Sequence, residues 1–289
     1  MKRAARWAGW LCLWLLLVVY FTYLRFPYVR LRPAIEPRIA ALGLGKISFD
    51  DIHATPFGGV RLSGVSLLPT GMSGKPIQMD DLSLSPALWR FIRGGRGAHF
   101  DARMAGGHAR GTAGITRDAH TQLAATMSDV DLTKVDLPGL PDGLEGKLEG
   151  TVNLDFEHVA LDGAKGTVHL GAAHGSIPPI TAAGFKATPA PIHFDSAALD
   201  ATLDGPKIEI TSIKLAGPDL EGSASGTLTV RGRSLATSEL NSDLRFRLPE
   251  GSSVKAVEGL ISAVRVKKDA EGYFVLKLGG TLMNPRPRT

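Results

Sequence analysis

Three side chains able to do acid–base or metal chemistry stand together early in the chain: Asp50, Asp51 and His53, in ISFDDIHATP (47–56). Two carboxylates beside an imidazole suit proton transfer or a divalent cation. Thirty residues on, IQMDDLSLSP (77–86) has the same layout, matching Ile47 with Ile77, Asp50 with Asp80, Asp51 with Asp81 and Ile52 with Leu82. Ser83 replaces the histidine. What recurs is an apolar-alternating frame around an acidic pair, so both pairs read as parts of a repeated strand-and-corner unit.

The other histidines (99, 108, 120, 158, 169, 174 and 193) form no H-x-H, H-E-x-x-H or Cys/His ligand spacing. His169 and His174 point to opposite faces if they share one strand. The acids in TVNLDFEHVALD alternate with apolar residues, the pattern of a solvated strand face. GMSGKP (71–76) lacks the phosphate-loop spacing and has Pro76 where that loop needs a hydroxyl. No G-x-S-x-G elbow is present. The expectation is a non-enzymatic chain with no catalytic residues, metal or cofactor. RFIRGGRG (90–97) is a basic loop, read as a solvated turn with a lipid head-group contact as the other reading.

The elements that would carry these residues are mainly strands. From Lys46 onward apolar residues alternate, as in Ile47/Phe49, Val60/Leu62, Val65/Leu67, Val152/Leu154/Phe156, Ile208/Ile210, Ile213/Leu215, Leu228/Val230, Leu244/Phe246/Leu248 and Phe274/Leu276/Leu278. Each such strand has one apolar and one polar face. Gly, Pro and Asp punctuate the runs, and the chain holds 34 Gly and 18 Pro, a share suited to many turns. Gly-Thr followed by an apolar residue recurs at 149–154, 165–170, 225–230 and 279–284, and more weakly at 110–115. Gly there allows close approach and Thr suits the exposed face. Short helices are expected at 34–43, 86–93 and 253–264, from apolar residues at helical spacing. The predicted fold is an elongated, twisted antiparallel sheet, curled into a groove, over 46–285, with a C-terminal tail at 286–289.

Residues 7–24 run for 18 positions without a charge, near the minimum for a membrane-spanning helix. Trp7, Trp10, Tyr20 and Tyr23 lie toward its ends and Arg25 follows, the arrangement of interface anchors. The expectation is an uncleaved signal anchor with residues 1–6 in the cytoplasm, a juxtamembrane helix and linker at 25–45, and the body on the far side. The net charge of +5 is uneven: residues 1–38 carry +6 and the remainder −1. The basicity therefore sits at the membrane flank, and the body has no electrostatic footprint for nucleic acid. The single cysteine, Cys12, lies in the apolar run, so the body forms no disulfide.

Four segments, with the anchor, carry a resemblance: GKISFDDIHATPFGGVRLSGVSLLP, IQMDDLSLSPALWRFIRGG, LAGPDLEGSASGTLTV and GYFVLKLGGTLMNPRP. Over residues 1–285 the chain resembles the type II secretion system protein N family (general secretion pathway N component), which is related to AsmA-like envelope proteins. The resemblance implies a single-pass inner-membrane protein with a periplasmic β-rich domain and an accessory, scaffold role beside other secretion-system components. The second function class is lipid binding or transfer by a β-groove. Its expected lining is Val152, Leu154, Phe156, Leu228, Val230, Phe274 and Leu276, and phospholipid would be the partner.

Overall fold

A computed structural model describes residues 2–26, 33, 46–55, 58–68, 76–87, 94–118, 120–135, 143–157, 163–179, 190–231, 234–249, 252, 267–281 and 284–288. One helix, α1 (Lys2–Arg25), opens the chain and takes in the basic residues ahead of the apolar run. Among the described residues no helix is long and apolar enough to cross a membrane. The α1 side chains of Trp7, Leu11, Cys12, Leu16 and Leu24 lie outside that set. The helices expected at 34–43 and 253–264 also lie outside the described residues, as does 88–93. Pro86, expected to open a helix, instead ends a strand.

The rest is mainly β. In chain order the strands are β1 (Lys46–Ser48), β2 (Asp51–Thr55), β3 (Gly59–Leu68), β4 (Ile77–Pro86), β5 (Arg96–Met104), β6 (Gly107–Ile115), β7 (Thr121–Asp131) and β8 (Glu145–Phe156). Then come β9 (Ala164–Ile177), β10 (Ile192–Asp204), β11 (Lys207–Ala216), β12 (Glu221–Arg231), β13 (Ser234–Arg247), β14 (Lys267–Lys268), β15 (Phe274–Thr281) and β16 (Asn284–Pro287). All belong to one antiparallel meander in which nearly every strand pairs with its sequence neighbours. Short connections between alternating strands leave little other choice. β1 and β2 both pair with β3 in a continuous register and act as one interrupted strand. At the far end β15 carries β14 on part of its length and β16 on the rest. Arg286 and Pro287, expected in a tail, belong to β16.

Following the register from strand to strand puts the apolar alternation on a single face. Leu276 faces Leu244, Leu244 faces Ala224, Ala224 faces Ile213, and Ile213 faces Leu199. The series continues through Leu170 and Gly150 to Met127 and Ala109. This inner face also holds the recurrent Gly-Thr glycines, with the threonines opposite. A Cβ on Gly111, Gly150, Gly166 or Gly226 would lie 2.0, 2.2, 1.9 or 2.4 Å from a carbonyl oxygen of the adjoining strand. Strands are thus drawn closer on this face than a side chain permits, and the sheet bends toward it.

Packing differs along the sheet. At the β1–β4 end Phe49, Ile52, Leu62 and Val65 form a buried cluster, supported by Ile47, Val60, Met79 and Leu82. From β8 onward many inner-face residues, including Val152, Leu154, Leu170, Ile210, Leu215, Phe246 and Leu276, are only half-buried. A closed core buries such side chains almost fully, so this part of the face is not sealed by the described residues.

Candidate functional site

The acidic pairs that open the sequence question lie inside the ladder. Asp51 and Asp81 face the same residue, Ser63, from opposite sides of β3. Ile52 and Leu82 likewise share Leu62, and Ile47 and Ile77 share Leu67. The 30-residue repeat is therefore two strands in identical register on either side of β3. The apolar phase changes at the acids: Ile47 and Phe49 point inward before them and Ile52 after, with Met79 and Leu82 doing the same. Gly64, at φ +61, sits between the two acidic pairs, and a Cβ there would lie 2.1 Å from Asp50 Oδ2. The unit is a bend across the middle of β1/β2, β3 and β4, not a corner between strands.

His53 and Asp51 have a further structural role. Asp51 Oδ1 accepts the Ile52 N–H at 2.7 Å, and His53 Nε2 lies 2.9 Å from Asp51 Oδ2. β2 pairs with β3 and with no other described strand, so Asp51 and His53 stand on an edge of the sheet. A charged carboxylate on an edge strand disfavours pairing with an incoming strand, which blunts the edge. At the other edge Pro285 and Pro287 of β16 provide no N–H at all. Asp51→Ala is expected to leave thermal stability within about 1 kcal/mol while causing concentration-dependent association. Light scattering after gel filtration checks this, and a variant as monodisperse as the parent removes the edge role.

Three other described histidines, His120, His169 and His193, follow a similar logic. His120 Nδ1 lies 3.1 Å from Asp155, which Gln122 also contacts. The Gln122 and then the His120 hydrogen bond hold the Asp155 carboxyl below the usual carboxylate range. His169 meets Asp200 at 2.7 Å and His193 meets Asp219 at 2.8 Å. Each is a cross-strand or strand-to-loop tie. Among the described residues no three His, Cys, Asp or Glu side chains are grouped to hold a metal.

One feature among the described residues with the shape of a binding site is apolar. β12 carries small residues, Gly222 and Ala224, on the inner face. Their register partners are large: Leu215 and Phe246 flank Gly222, and Ile213 and Leu244 flank Ala224. Small residues between two large-residue strands leave a trough, and Ile177, Ile192, Leu220 and Leu248 extend its walls at the strand ends. Its volume is about 470 Å³, within the range of small-molecule sites. On the opposite face Arg245 bonds Asp269 and Glu271 at 2.7 Å, and Arg247 bonds Glu221. Both guanidinium groups lie over Tyr273. These ties brace β12, β13 and β15 behind the trough.

All seven residues expected to line a groove share the inner face, on β8, β12 and β15. Leu228, Val230 and Phe274 are buried in the packing, whereas Val152, Leu154, Phe156 and Leu276 are only half-buried. None of the seven lines the trough itself. The residues that do include Leu215, Leu244, Phe246 and Leu248, whose alternation is plain in sequence. The missed signal was the run of small residues in EGSASG, which marks where the face sinks. Of the expected interface anchors, Trp10, Tyr20 and Arg25 are exposed, and Tyr23 donates a 2.7 Å hydrogen bond to the Gly59 carbonyl of β3. The Trp7 side chain lies outside the described residues.

Comparison with known proteins finds no matching family model, no matching curated protein and no matching solved structure.

Proposed function

We propose that the chain is a non-enzymatic, inner-membrane-anchored accessory protein of a type II secretion system, with the sheet in the periplasm as a scaffold. The observation that carries this is the junction between helix and sheet. On α1, Leu13, Trp14, Leu15 and the whole run Leu17–Phe21 are exposed. At 100° per residue these positions cover every side of the helix, so it needs an apolar surrounding on every side. Its 24 residues give about 36 Å of length, against roughly 30 Å of hydrocarbon. Tyr23 then clasps the helix end to β3, joining a tether to a long sheet. The secretion assignment draws on the resemblance of residues 1–285. Capture of the full-length protein from mildly solubilised membranes is expected to bring down secretion-system components. Recovery of none of them, with no genes for that machine beside this one, removes the secretion reading.

The trough on β11–β13 favours a second reading, in which the sheet holds the acyl part of a phospholipid. An exposed apolar surface of this kind usually marks a binding site. Full-length protein in mild detergent is expected to carry phospholipid detectable by mass spectrometry. Ala224→Leu, which fills the trough floor, and Leu215→Asp, which charges its wall, should each lower bound lipid several-fold with β structure retained. Equal lipid in both variants and parent would locate the lipid elsewhere.

A further inference from the structure

The Tyr23–Gly59 bond fixes one rim of the sheet beside the end of α1. Because the strands alternate in direction, the β2–β3, β4–β5 and β6–β7 connections all fall on that rim. Arg96 begins β5 and Ile115 ends β6, directly opposite each other in the ladder. They stand about 10 and 14 Å from β3 at one strand spacing per step. Ile115 is 48% exposed; only it and Val275 are exposed large hydrophobics among the described sheet residues. Arg117 Cδ lies 3.8 Å from where a Cβ on Gly94, two residues ahead of Arg96, would be. Phe26 is 46% exposed at the helix end, next to Arg25. The described charges on this rim, from α1 to β7, are Arg25, Arg96 and Arg117 against Asp118. Exposed apolar side chains among arginines, beside the end of the apolar helix α1, complement an anionic bilayer surface.

We propose that this rim rests on the bilayer, with Ile115 below headgroup level and Arg96 and Arg117 on anionic headgroups; the inference depends on α1 being a membrane anchor. The test uses the full chain with Cys12→Ala, reconstituted into vesicles of phosphatidylcholine with phosphatidylglycerol, or of phosphatidylcholine alone. An environment-sensitive fluorophore is placed at Ile115→Cys, Leu17→Cys or Val275→Cys, and quenching by nitroxide-labelled lipid is read. Ile115 and Leu17 are expected to be quenched and Val275 spared, with stronger Ile115 quenching in the anionic vesicles. Arg96→Glu with Arg117→Glu should weaken the docked pose roughly fivefold or more without changing Leu17. Quenching at Leu17 with Ile115 no different from Val275 overturns the rim proposal and leaves the anchor standing. No quenching at Leu17 overturns both.

Discussion

Replacing Gly166 by alanine is expected to destabilise the sheet by about 2–4 kcal/mol, an unusually large loss for one methyl group. In an ordinary position Gly→Ala stabilises a protein slightly, by limiting the unfolded chain. Two features reverse the sign here. The backbone is at φ +151, a conformation L side chains rarely adopt, and the new Cβ would lie 1.9 Å from the Asn153 carbonyl oxygen. Neither partner can yield easily, because both belong to the β8–β9 ladder in which Leu154 faces Gly166. Gly163→Ala is the control: a Cβ there meets nothing within 4 Å, and the change should stay within about 0.5 kcal/mol. Denaturant or thermal unfolding of the two variants side by side decides the point. Equal stability would mean the sheet is not drawn in at its inner-face glycines.

Phe49→Ala should cost about 3–4 kcal/mol through lost burial and the cavity left behind. Phe49 is 1% exposed and packs in the same cluster as Ile52, Leu62 and Val65. The melting temperature of a domain this size should fall by roughly 10 °C. Leu154→Ala provides the contrast: the side chain is half-buried on the same inner face and should cost less. A larger loss at Leu154 than at Phe49 would mean that the β8–β9 region, and not the first hairpin, is the better packed part of the sheet.

Much of this architecture is legible in the residues. Period-two alternation marks most strands, because a strand half-covered on one side needs an apolar residue at every second position. The bends are legible too: Ile77 and Met79 occupy odd positions, Leu82 and Leu84 even ones, and the shift falls on Asp80 and Asp81. The same change of phase separates Ile208/Ile210 from Ile213/Leu215, where the ladder is bulged. The Gly-Thr recurrence encodes close approach on one face and a polar residue on the other. Three things were not legible. β16 was hidden by its prolines, which argue against a strand except at an edge. The roles of Asp51 and His53 depend on β2 being an edge strand, and strand order is a tertiary fact. The trough depends on which neighbours Gly222 and Ala224 acquire, and register, not local sequence, decides that.

Edges that carry a carboxylate on β2 and prolines on β16 make the sheet a ruler of set length. Fourteen strand positions, counted from the β1/β2 edge to the strands flanking β15, span roughly 60 Å at 4.8 Å per step. Charge at one edge and proline at the other disfavour joining copies end to end, so reach follows the number of hairpins. Each added or deleted hairpin changes it by about 10 Å. Single strands cannot be the unit of change, because losing one reverses the chain and sends every later connection to the opposite rim.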